Sequence, residues 1–446
     1  MSLMSHAVQH YLKLPAPETR SLRIERDLAV PMRDGVQLIA DHWRPKNGPE
    51  GLPTALVRTT YEHRGLHGRL IARPLAERGF QVLSVAARDG WDPGVAADPH
   101  RRASEDGLDL ITWILTQPWF GGAMVLAGLG RVDHTPWAVA AHAPPQLKAM
   151  APVATASAMT KELMRRDIRV PASLVGGWYD ASLPGQVRDF EALQEAGRHA
   201  RLTIGPWTHD DAVGAAVSES LEFSLPLARG QVPAVRAPVR LYVMGEEAWR
   251  DFDTWPPPGY RPRRVHLGAG GTLGMKLREG AAGYRYDPDD PTPSFGGTGE
   301  FRGGKVDNTW LEARPDVLTF TTEVLTVDFE VAGHVKATVW FRSSLPSADV
   351  FVRLCDVDPQ GRSWNVCDGL TAVTGATGLQ PVEVELWPTA YRFKTGHRIR
   401  VQVSSGAFPR YHRNPDDPAH SHPADQEVHF DAEHPSTITL PLRTIA

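Results

Sequence analysis

An acid and a base lie in this chain in an order suited to proton transfer, with a glycine where an attacking oxygen would stand. Residues 126–132 read Leu-Ala-Gly-Leu-Gly-Arg-Val, an apolar run entering a turn, with Gly130 at the centre of a Gly-x-Ser-x-Gly frame. Gly130 has no side-chain nucleophile, and neither Val132 nor Asp133 supplies the second glycine that lets such a turn close tightly. Downstream, Gly176-Gly177-Trp178-Tyr179-Asp180 and Gly205-Pro206-Trp207-Thr208-His209 each follow a strand-like run. A carboxylate held against an imidazole fixes its tautomer and raises its basicity, leaving a general base near neutral pH. Such a base could deprotonate a water attacking an ester or lactone. It could equally act on a hydroxyl or carbon acid in a cyclisation, elimination or isomerisation. Covalent catalysis through an acyl-serine is excluded at Gly130.

Positioning these groups requires strands that end at one edge of a sheet. Between Ser21 and His209, short apolar runs alternate with amphipathic stretches, the pattern of a largely parallel sheet covered by helices. Strands are expected over 54–58, 81–87, 123–127, 148–153, 172–176 and 201–205, and helices over 68–77, 104–116, 135–143 and 184–196. Ser104 is expected to cap the second helix, with Glu105 and Asp106 at its positive end and Leu108, Ile111 and Leu115 as its apolar stripe. The alternation over 22–43 and the turn Arg33-Asp34-Gly35 predict an antiparallel hairpin at the sheet edge. From Pro233 the composition changes, and beyond Val317 strand-like runs dominate: 317–322, 335–343, 350–357, 382–386, 398–404 and 437–442. This predicts an α/β domain over 1–232 and a second domain over 233–446 whose later part is an all-β sandwich.

Composition narrows the partners. The 446 residues are 41% hydrophobic and 22% charged with a formal net charge of −4, and no long Lys/Arg run is present, so no electrostatic footprint for nucleic acid or an anionic membrane exists. A small-molecule substrate is the expected partner. The N-terminus, Met1-Ser2-Leu3-Met4-Ser5-His6, lacks a basic segment followed by an apolar core, and a cytoplasmic location is expected. The two cysteines, Cys355 and Cys367, flank the turn Asp358-Pro359-Gln360-Gly361 on expected neighbouring strands; in a reducing compartment they are read as free thiols. His420, His422, His429 and His434 cluster late in the chain without metal-ligand spacing, so no metal and no cofactor is expected.

Several stretches together resemble the cocaine-esterase-like hydrolases of the Xaa-Pro dipeptidyl-peptidase family. They are Pro31-Met32-Arg33-Asp34-Gly35-Val36, Ala40-Asp41-His42-Trp43-Arg44-Pro45, the two stretches ending at Asp180 and His209, Trp387-Pro388-Thr389-Ala390, and Gly396-His397-Arg398-Ile399-Arg400-Val401. The resemblance spans nearly the whole chain. It implies an α/β-hydrolase domain, a helical cap inserted into it, and a C-terminal jelly-roll. It makes Asp180 the triad acid, His209 the triad base, and Tyr61 an oxyanion-hole tyrosine acting with the backbone N–H of Arg131. The nucleophile position falls on Gly130. Only residues 154–169 are spare for a cap, which is too few, so the pocket is expected to be open or covered by a second copy of the chain.

Each residue also has a plainer reading. Asp180 could cap the helix near Pro184, His209 and Tyr61 could be ordinary loop or half-buried side chains, and the Arg131 guanidinium could hold a carboxylate or enolate as readily as a surface acid. Asp133 and His134 could replace the nucleophile or base. Trp137, Trp178 and Trp207 could line an apolar pocket for an aromatic substrate, or simply pack the core. The leading expectation is a non-serine enzyme with Asp180–His209 as base. A catalytically inactive binding protein on the same scaffold, and a serine esterase whose serine was substituted, are the alternatives.

Overall fold

The computed structural model describes residues 2–59, 66–88, 99–129, 135–157, 161–298, 303–411 and 422–445. The chain forms two compact units, Met1–Arg240 and Leu241–Ala446.

In the first unit, eight strands share one sheet in the order β1-β2-β4-β3-β5-β6-β7-β8. They are β1 (Leu22–Pro31), β2 (Gln37–Pro45), β3 (Thr54–Thr59), β4 (Gln81–Ala86), β5 (Met124–Leu129), β6 (Leu147–Val153), β7 (Ala172–Gly177) and β8 (Ala200–Gly205). From β4 through β8 neighbouring strands are parallel, while β1 and β2 form the expected antiparallel hairpin at the edge. Gly35, at φ +85°, turns that hairpin. Strands β7 and β8 are buried along their whole length, as in a doubly covered parallel sheet, and their polar Ser173 and Thr203 bond to Glu219.

Helices α1 (Ser2–Tyr11), α2 (Leu66–Ala76), α3 (Pro99–Leu115), α4 (Thr135–Ala140), α5 (Lys161–Asp167), α6 (Leu183–Glu195), α7 (Val213–Glu219) and α8 (Leu225–Ala228) complete the unit. Among the described residues none is long and apolar enough to cross a membrane. Two expectations for α3 are corrected. The helix begins at Pro99, so Ser104 lies inside it and caps nothing. Its buried stripe is Leu110, Ile111 and Ile114, with Asp106 also buried. The reason is electrostatic: Arg88, just past β4, donates to Asp106 through Nε at 2.9 Å and Nη2 at 2.7 Å, and also grips Asp34 of the hairpin turn. A paired carboxylate can face inward where an unpaired one could not.

Among the described residues between β6 and β7 lies one two-turn helix, α5. It lies on α6 through Lys161–Glu191 and Arg165–Glu195 ion pairs, and Arg198 donates to the Arg165 carbonyl.

The second unit is β-rich. After β9 (Val239–Val243) and β10 (Ala248–Phe252) come β11 (Arg261–Gly268), β12 (Thr272–Gly274), β13 (Ala281–Tyr286), β14 (Leu318–Thr321), β15 (Asp328–Ser343) and β16 (Ser347–Val357). Then follow β17 (Ser363–Thr374), β18 (Gln380–Phe393), β19 (Arg398–Ser404), β20 (Ala424–His429) and β21 (Thr437–Ile445). Their order is β13-β20-β15-β21-β11-β12-β14-β19-β16-β17, with β18 on β15, and the pairing is antiparallel except between β12 and β14. This is the β-sandwich read from the sequence. The β16–β17 hairpin carries a bulge, so Cys367 faces Leu354 and Cys355 faces Asn365 across the ladder; both thiols are free.

Candidate functional site

Asp180 and His209 are brought together by two glycine-dependent strand exits. Strands β7 and β8 run parallel in a register that pairs Gly176 with Ile204 and Gly177 with Gly205. Past these ends the chains cross. Trp178 N–H donates to the Gly205 carbonyl at 2.9 Å, and Tyr179 N–H donates to the Trp207 carbonyl at 3.1 Å. A Cβ on Gly177 would lie 2.1 Å from the Trp207 carbonyl oxygen, and one on Gly205 would lie 2.5 Å from the Trp207 ring. Only glycine permits this approach, which sets the turn bearing Asp180 beside the turn bearing His209.

The result is one short contact, His209 Nδ1 to Asp180 Oδ2 at 2.8 Å. The Asp180 side chain is wholly buried and that of His209 is 17% exposed. A buried carboxylate needs donors. Asp180 Oδ1 accepts the Ser182 N–H at 2.7 Å, so both of its oxygens are engaged. An ionised carboxylate only accepts, so Nδ1 is the donor in this contact, and in a neutral imidazole that arrangement leaves the lone pair on Nε2. That Nε2 is buried and has no hydrogen-bond partner among the described residues. Such an imidazole can accept a proton at one defined atom. Thr208, next to the histidine, is pinned by its hydroxyl and N–H to Asp211 Oδ2, at 2.6 and 3.2 Å, which fixes the start of the His209 turn.

The tryptophans separate by burial. Trp137 and Trp178 lie in the interior at 1% and 4% exposure, and half-buried Trp207 packs against the core cluster that includes Val57, Ala127, Val153 and Val175. Gly130, Arg131, Asp133, His134 and Tyr61 lie outside the described residues. Strands β3 and β5, which precede Tyr61 and Gly130 in the chain, are parallel to β7 and β8 and end at the same sheet edge.

Of the late histidines, His420 also lies outside the described residues. His429 Nε2 meets Glu427 at 3.1 Å and His434 Nδ1 meets Asp431 at 3.0 Å. The structure adds a further Asp–His pair in the C-terminal unit, between residues distant in sequence. His397 Nδ1 contacts both Asp356 oxygens at 2.9 and 3.0 Å, and Tyr391 donates its hydroxyl to Asp356 at 2.7 Å. Sequence reasoning took His397 only as part of a motif. Its partner Asp356 is 41 residues away, on β16, and no local signal joins them.

Comparison with known proteins agrees with this architecture. The profile of the X-Pro dipeptidyl-peptidase (S15 family) matches residues 34–167, and that of the X-Pro dipeptidyl-peptidase C-terminal non-catalytic domain matches residues 234–439. The cocaine esterase of Rhodococcus sp. (strain MB1 Bresler) is 28% identical in an alignment covering 94% of this chain and 98% of that protein. The alignment runs over 568 positions, more than the 446 residues of this chain, so that esterase carries segments absent here. Among solved structures, an aminopeptidase from a marine sediment Thaumarchaeota archaeon superposes with a TM-score of 0.82 at 19% identity, covering 97% of this chain and 98% of that one. An α-amino acid ester hydrolase superposes with a TM-score of 0.79 at 20% identity, covering 96% and 98%. At such identities these two superpositions establish the shared fold.

Proposed function

Because the chain belongs to the cocaine-esterase-like X-Pro dipeptidyl-peptidase family, we propose that it is an enzyme acting on an ester, lactone or related carbonyl without a serine nucleophile. The observation that carries the reading is the 2.8 Å Asp180–His209 contact, with His209 Nε2 unpartnered among the described residues. In the simplest form, Nε2 takes a proton from a water whose oxygen attacks the carbonyl carbon. The oxyanion so formed would be stabilised by the Tyr61 hydroxyl and the Arg131 N–H. On collapse the acyl–oxygen bond breaks and the imidazolium returns its proton to the leaving alkoxide, giving an acid and an alcohol. The same base could instead drive a cyclisation or elimination. The family's esterase activity favours hydrolysis.

The aligned Asp–His pair supports an enzyme over a binding-only scaffold, in which Nε2 would need no free lone pair. The test is His209→Ala assayed on a panel of p-nitrophenyl esters and lactones. Loss of a general base costs about 10²–10⁴-fold in turnover. Wild-type activity should also resist fluorophosphonates, which trap serine nucleophiles. Full turnover by His209→Ala would overturn the reading.

A further inference from the structure

The serine that opens α6 does not act as a helix cap. Ser182 holds the N-cap position, where a hydroxyl ordinarily accepts a hydrogen bond from an N–H of the first turn, but its side chain makes no such bond. Its Oγ instead donates to the carbonyl of Ala154, 2.9 Å away at the exit of β6. Its own N–H donates to Asp180 Oδ1 at 2.7 Å. Ala154 is fully buried and sits at φ +49°, a left-handed conformation disfavoured for any residue with a Cβ. In that conformation its N–H bonds the Val175 carbonyl of β7 at 2.9 Å and its carbonyl takes the Ser182 hydroxyl. A forgone cap and a disfavoured backbone conformation thus meet in one hydrogen bond, two residues from the catalytic acid.

We infer that Ser182 is a positioning residue for the Asp180–His209 pair. Its hydroxyl ties the Asp180 turn to the end of β6, so that its N–H holds Oδ1 and leaves Oδ2 directed at His209 Nδ1. This rests on the reading of that pair as the general base. Without the tether the turn gains freedom about the carboxylate, and the productive His209 tautomer loses its fixed partner.

The experiment compares wild type, Ser182→Ala, Ser182→Thr and His209→Ala in two ways. One is turnover of p-nitrophenyl acetate; the other is the downfield NMR resonance of the His209 Nδ1 proton in histidine-labelled protein, which needs no substrate. Ser182→Ala should lower kcat by up to about tenfold at unchanged KM, the scale of one lost hydrogen bond, and should broaden or shift the resonance. Ser182→Thr, which keeps a hydroxyl, should restore both. A merely structural serine would lower the melting temperature but leave the resonance unchanged, and that result overturns the inference. Should Ser182→Ala fold poorly, Ser182→Gly removes the hydroxyl at an N-cap position that glycine tolerates, and a wild-type resonance there overturns it equally. Full turnover by His209→Ala defeats the base reading itself. An inactive His209→Ala alongside an unaffected Ser182→Ala defeats only the tether.

Discussion

Asp180→Asn separates chemistry from stability more sharply than deletion of the side chain. Asp180 Oδ1 accepts the Ser182 N–H at 2.7 Å, so in the variant the amide oxygen takes that place and the amide NH2 faces His209 Nδ1 across the present 2.8 Å gap. A donor now opposes Nδ1. The imidazole must accept there, its proton moves to Nε2, and the lone pair that could take a proton from water is lost. Turnover should fall by about 10²–10⁴-fold, the range for losing a general base and for inverting the tautomer of a paired histidine. Stability should fall less, by about 1.5–3 kcal/mol for weakened hydrogen bonds to a charged group, since no cavity opens. Asp180→Ala should rank the other way. It leaves the buried Ser182 N–H without an acceptor and so destabilises more, yet it lets His209 sample both tautomers and so retains more activity. Thermal melts and steady-state kinetics on both variants give the two rankings. Turnover by Asp180→Asn near the wild-type level, or above that of Asp180→Ala, would refute the tautomer argument.

Two further predictions concern the supporting structure. Gly177→Ala should destabilise more than Gly205→Ala, because its Cβ would meet the Trp207 backbone oxygen at 2.1 Å whereas the other meets a ring that can turn; overpacking of this kind costs about 1–3 kcal/mol, and equal melting temperatures for the two variants would contradict the crossing described above. His42 is buried, stacks on Trp119 with ring centroids 4.1 Å apart, and has its pKa lowered from 6.5 to about 4, chiefly by burial, with Arg44 adding and the Gln81 hydrogen bond opposing. The unfolded chain therefore takes the proton first: this site costs nothing above pH 6.5, and its penalty grows to about 3 kcal/mol as pH falls to 4. Chemical denaturation of His42→Gln should show a shallower loss of stability than wild type between those limits, and parallel curves would count against the assignment.

Where an element is coded by its own residues, the sequence was a good guide. The parallel strands announce themselves as apolar runs, and β6, β7 and β8 begin and end within one residue of expectation. The site glycines were legible too, in Gly176-Gly177-Trp178 and Gly205-Pro206-Trp207, although the reason for them, the passage of Trp207 over Gly177, is a tertiary fact. Helix α3 shows where the method stops. Its composition suggested a start at Ser104 and an acidic first turn, but Arg88, eighteen residues from Asp106, draws that acid inward and rotates the buried stripe. Ser182 is the same lesson in the site itself. A serine before a helix reads as a cap, and only the fold reveals the Ala154 carbonyl that takes its hydroxyl.

The energetics of the Asp180–His209 pair bear on whether Gly130 marks a lost activity or a different one. Burying a carboxylate costs several kcal/mol before its partners repay any of it, and apolar residues of similar volume often hold a buried site equally well or better. An Asp with its side chain wholly out of solvent is therefore a poor device for joining two turns that the Trp178 and Tyr179 N–H groups already join through main-chain bonds. What the pair provides is an imidazole with one nitrogen committed and the other, buried, without a partner among the described residues. In the C-terminal unit, Asp356 likewise holds an imidazole by Nδ1, but it shares its charge between His397 and the Tyr391 hydroxyl. At His209, Nε2 is buried and has no hydrogen-bond partner among the described residues, an arrangement that supports the proposed base.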